Sequence, residues 1–131
     1  MENSQTPAQQ LKTMNILWMA MSASVLIYHF IAFLQIDNPA RLAERSPIAN
    51  MIWAFAVAFA GMGIVLPRML FANASPTIQL TSGYITRYAM FETVAICALI
   101  NFLTQGVPYA EAALGMTAAF ALMVFSKPRL A

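Results

Sequence analysis

The chain has 131 residues; 60% are hydrophobic and only 9% carry charge, with a mean hydropathy of +0.67. A water-soluble domain carries roughly 25% charged residues, so this composition excludes a disordered chain and argues against an ordinary soluble globule. A net charge of +2 gives nucleic acid no electrostatic footprint, and a lone cysteine excludes a disulfide framework or a multi-cysteine metal site within the chain.

Four apolar stretches follow one another. The first runs from about Met14 to Gln35, with no formal charge and one histidine, His29. It is read as a membrane span rather than a cleaved signal peptide, because its apolar region is too long and Lys12 gives only a thin basic flank. The connection Ile36 to Arg45 is polar and turns at Asn38-Pro39. The second stretch, about Ile48 to Leu66, is uncharged and has no polar side chain after Asn50. Pro67 to Tyr84 is the longest connection, and its Asn, Ser, Pro and Gly residues predict a flexible loop. The third stretch, about Ile85 to Leu103, holds Arg87 and Glu92. Gln105-Gly106-Val107-Pro108 reads as a tight turn, which makes the helices on either side antiparallel neighbours. The fourth stretch, about Pro108 to Ser126, holds Glu111.

Each stretch has close to the ~20 residues that cross a ~30 Å hydrocarbon layer at about 1.5 Å per residue. Backbone groups in lipid must be satisfied within the segment, so the spans are predicted to be helices. A soluble four-helix bundle needs a polar face on each helix; Val25 to Leu34 offers only Tyr28 and His29, and Trp53 to Leu66 offers none. The expected fold is an all-α integral membrane protein: one domain, residues 1–131, a bundle of four transmembrane helices. Lys12, Arg68, Arg87, Lys127 and Arg129 fall on one side and Arg41 and Arg45 on the other, so the positive-inside rule puts both termini in the cytoplasm. Small size without a targeting signal points to a bacterial inner membrane.

Small residues line the second helix from Ala54 to Gly63, with Ala54/Ala58 and Ala56/Ala60 four apart; Gly115 and Ala119 repeat the theme in the fourth. Such pairs let another helix approach closely, within one bundle or between copies. The scattered methionines read as lipid-facing and core filler. Trp18, Trp53, Tyr84, Tyr88 and Tyr109 lie near helix ends, as interfacial belts do, and Arg68 and Arg87 are expected to snorkel to the headgroups.

Glu92 is the most informative residue. It lies about 3 Å from the middle of its helix, where a carboxylate must be protonated, paired or facing a wet cavity. Arg87 cannot serve it, since five residues is about 140° around the helix. Depth arithmetic offers Ser22 and Ser24 of the first helix and Thr117 of the fourth as partners. His29 lies about 10 Å from Glu92 along the bundle axis; no contact between the two is expected, and Asn101 is the better match for His29. Glu92 is thus a candidate proton or cation site, weighed against a structural carboxyl that ties helices together. Glu111 opens the fourth helix, where an N-terminus welcomes negative charge, so its expected role is structural. There is no serine–histidine–acid spacing, phosphate loop or HExxH pattern, so neither an enzyme nor a bound cofactor or metal is expected.

The segment Arg87-Tyr88-Ala89-Met90-Phe91-Glu92-Thr93-Val94-Ala95-Ile96-Cys97-Ala98-Leu99-Ile100 resembles the carboxylate-bearing helix of the rotary ATPase proteolipids, the c-ring subunits. The alternating small residues from Ala54 to Gly63 are similar to the helix that precedes it in that family. The resemblance implies that Glu92 carries an ion and that the chain works in a ring. It covers the central third of the chain; the family's short polar loop is replaced by the Pro76-containing connection, and the outer helices do not repeat the pair. Three functions follow: an accessory or structural subunit of an oligomeric membrane assembly; a proton- or cation-binding transport subunit using Glu92; and a small multidrug-type cation exporter. That last family carries its glutamate in the first helix, where this chain has none.

Overall fold

The computed structural model describes residues 5–129. They form four helices and no strand: α1 (Pro7–Leu34), α2 (Ile48–Phe71), α3 (Pro76–Thr104) and α4 (Tyr109–Phe125). The first three are long and apolar enough to cross a membrane. α1 begins about two turns earlier than the apolar run, because Thr6 and Gln9 form a capping box and Pro7 occupies the first turn, where no N–H is needed.

α3 is the centre. It packs against α2, α4 and α1, and α1 also packs against α4. α1 and α2 are consecutive but scarcely touch, lying on different sides of α3. The buried residues of α3 recur every three or four positions, from Tyr88, Phe91 and Val94 through Ala98 to Asn101 and Phe102. That spacing keeps one broad stripe covered along the whole helix. As expected from the tight turn, α3 and α4 are antiparallel neighbours. Gly115 of α4 lets them close on α2 as well: a Cβ there would come within 2.5 Å of the Trp53 ring. Methionine serves both expected roles, with Met14, Met116 and Met123 buried and Met19, Met51 and Met69 exposed.

The flexible loop predicted over Pro67 to Tyr84 does not exist. α2 continues through Pro67 to Phe71, and α3 resumes at Pro76, with Ser75 accepting a hydrogen bond from the Ile78 amide. Proline at the start of a helix costs nothing, but Pro67 inside α2 removes the N–H that would bond the Gly63 carbonyl. Arg87 fills that gap: its Nε donates to the Gly63 carbonyl at 3.1 Å. Arg87 is therefore turned inward to repair α2 rather than snorkelling outward. Residues Gln79–Gly83 of α3 form a π-helical stretch.

The chain thus has two ends. The terminal end gathers the start of α1, the α2–α3 connection and the C-terminal tail. The loop end carries residues 35–47 and the α3–α4 turn. There Arg41 donates to the carbonyls of Ile36, Phe102 and Val107 at 3.0–3.1 Å and stacks on the Phe102 ring. These include carbonyls left open where α3 ends. Gly106 turns the chain with φ at +69°, and the Ser46 amide donates to the Gln105 carbonyl at 2.8 Å, so the long connection is folded down onto the turn.

Candidate functional site

Glu92 projects from α3 toward α1. Its Oε1 accepts the Tyr28 hydroxyl at 2.7 Å and lies 3.2 Å from the Ser24 hydroxyl. Ser24 and Tyr28 are four apart, so α1 presents both on one face. Ser24 has one proton, and the Met21 carbonyl at 2.7 Å competes for it. Tyr28 is therefore the principal donor. Glu92 is half-buried, and among the described residues no group donates to its Oε2.

Ser24 is the one predicted partner that reaches Glu92. Thr117 has the right depth but the wrong rotation: its hydroxyl faces His29 Nε2 at 3.3 Å. His29 Nδ1 lies 3.1 Å from the Val25 carbonyl, an acceptor only, so Nδ1 carries a proton toward it. His29 and Glu92 are not in contact, as depth predicted. Ser22 is buried with its Oγ unpartnered. Asn101 is not a partner of His29; it points to the other side of α3, where Nδ2 donates to the Ala49 carbonyl at 3.1 Å and Oδ1 is left without a donor.

Tyr28, named in the sequence only as a polar residue of the first span and given no role toward Glu92, is the residue that was missed. The signal was its spacing from Ser24. Two aromatics read as belt residues are also tied inward. Tyr88 is fully buried and donates to the Ser126 carbonyl at 2.8 Å, and Trp18 donates to the Met123 carbonyl at 2.7 Å. Glu111 is held by two side chains, Arg45 at 2.6 Å and the Trp53 indole at 3.0 Å.

The Glu92 cluster offers one carboxyl and two hydroxyls. That is fewer oxygens than the six to eight that enclose a hard divalent cation such as Ca²⁺, but enough to hold a carboxyl in one orientation while its second oxygen stays open. Neither sequence nor fold matches a family model, a curated protein or a solved structure.

Proposed function

We propose that this chain is a four-helix integral membrane protein with cytoplasmic termini that serves as an accessory or structural subunit of an oligomeric membrane assembly. The observation that carries it is how the interior polar groups are used. Trp18, Tyr28, Tyr88, Asn101 and Glu111 each bind another helix or the segment that ends it, and Glu92 is part of that cross-linking. The outer faces of α1 and α2 expose Leu26, Phe30, Phe33, Phe55, Val57 and Met69, a surface that fits lipid or neighbouring subunits and not water. α4 has 17 residues, about 26 Å, and crosses with its flanking turns.

The test is the native mass of the full chain extracted with its own lipids into nanodiscs. Expected is an assembly well above the 14.4 kDa monomer, retained in Glu92→Gln. A monomer throughout overturns the reading.

A second reading is favoured by the open Oε2 of half-buried Glu92 and by the resemblance of residues 87–100 to the proteolipid helix. In it Glu92 exchanges a proton with a neighbouring subunit. Carbodiimides attack protonated carboxyls in apolar surroundings. Saturable labelling of Glu92 at neutral pH in the intact assembly moves this reading ahead; absence of labelling leaves Glu92 as a helix tie.

A further inference from the structure

At the terminal end a cavity of about 680 Å³ opens between α2, the π-helical part of α3, the start of α1 and the C-terminal tail. Its size falls within the roughly 300–1,000 Å³ of small-molecule sites. Arg68, Arg87 and Arg129 line it, supplied by three separate parts of the chain. Among the described residues no carboxylate lines it. Among the described residues, Asp37, Glu44 and Glu111 sit at the loop end, Glu92 is engaged with Tyr28, and the one salt bridge is Arg45–Glu111. Three guanidinium groups therefore share a concavity without a counter-ion from the described protein.

The arginines are not equivalent. Arg87 is oriented by its bond to the Gly63 carbonyl and lies 5.5 Å from the centre of the Tyr84 ring. Arg68 and Arg129 have no side-chain hydrogen bond to the described protein, and the Arg129 amide is held by the Tyr84 hydroxyl at 3.3 Å. A fixed inner cation with two adaptable outer ones suits an anion that enters from outside. The remaining walls are mixed: Gln79 and Thr77 are polar, while Phe71, Leu80 and Pro67 are apolar. π-Helical insertions recur at functional sites, and here the insertion forms one wall.

We infer that this cavity binds a phosphate group, with the arginines on its oxygens and the apolar wall against whatever carries it. The guanidinium fork matches phosphate oxygens. Basic pockets between helices on the cytoplasmic side take anionic headgroups, so the group is supplied by a phospholipid or by free phosphate. The inference does not depend on any role for Glu92.

The experiment uses the full chain, stripped of lipid in neutral detergent, with short-chain phosphatidylglycerol, short-chain phosphatidylcholine and inorganic phosphate as probes, read by native mass spectrometry and calorimetry. Expected is saturable binding of phosphatidylglycerol in preference to phosphatidylcholine, weakened roughly tenfold for each arginine removed in Arg68→Gln and Arg129→Gln. Neither side chain has a hydrogen bond or ion pair to the described protein, so the variants are expected to fold. Displacement of phosphatidylglycerol by inorganic phosphate identifies the phosphate alone as the ligand; its failure to displace identifies a lipid headgroup. Equal binding by wild type and the double variant, or an equal loss in Arg45→Gln at the loop end, overturns the proposal, as does binding of neither anionic probe.

Discussion

The two ends of the bundle use the same residue type in opposite ways. At the loop end, Arg41 donates to three backbone carbonyls and lies 3.6 Å over an aromatic ring, and Arg45 spends its charge on Glu111 and Asn50. At the terminal end, Arg68 and Arg129 line a cavity and their side chains make no hydrogen bond or ion pair to the described protein. An arginine whose donors are consumed internally fixes a fold; one whose donors are left over is available to something else. The loop end is thus a closed cap, and the terminal end is an open receptor. Loop length misleads here: the 13 residues of the long connection at 35–47 are tied down, while the open end has the short one.

The comparison breaks most readily at Gly106. Its φ of +69° costs a residue with a Cβ about 1–2 kcal/mol, and that Cβ would collide with the Glu44 carbonyl. Gly106→Ala is expected to lose about 3 kcal/mol or more of unfolding free energy in mixed micelles. A loss under about 1 kcal/mol would mean that the cap is not closed. Arg41→Gln comes next. Gln cannot reach three carbonyls, and hydrogen bonds from a charged donor are worth about 1.5–3 kcal/mol each before solvent competes at this half-exposed position. A loss of about 2 kcal/mol is expected, with hydrogen exchange rising first at the last turn of α3 and in residues 35–47.

Much of this was legible in the sequence, and the errors share a cause. The helices, the turn at Gly106 and the pairing of α3 with α4 follow from local rules of apolar length and turn chemistry. Ser24 was found by depth, because rise along a helix is fixed. Rotation is not fixed by depth, so Thr117 was assigned to Glu92 and faces His29 instead. Tyr28 was passed over because its reach to Glu92 runs between helices whose neighbour relation the sequence does not state. Pro67 was read as the end of a helix by a sound local rule. The compensation comes from Arg87, on another helix and 24 residues beyond the Gly63 carbonyl it serves. The same non-local bond hid the cavity, since a flexible loop would have erased its wall.

The smallest expected effect is the sharpest contrast. Arg68 lies in the last turn of α2, where a cation meets the negative end of the helix dipole, an exposed interaction worth about 0.3–1 kcal/mol at low salt. Salt screens it, and the exposed side chain makes no hydrogen bond to the described protein. In lipid-stripped protein at physiological ionic strength, Arg68→Gln is therefore expected to change unfolding free energy by no more than about 0.5 kcal/mol. The same change of side chain at Arg41 should cost several times as much. The two variants remove the same charge from opposite ends, so the difference between them isolates what the charge is doing. If Arg68→Gln costs as much as Arg41→Gln in the absence of any phosphate-bearing molecule, the terminal-end arginines are bound internally after all, and the open end is a second cap. If it costs nothing until phosphatidylglycerol is added, and wild type alone is then stabilised, the missing partner of these arginines comes from outside the chain.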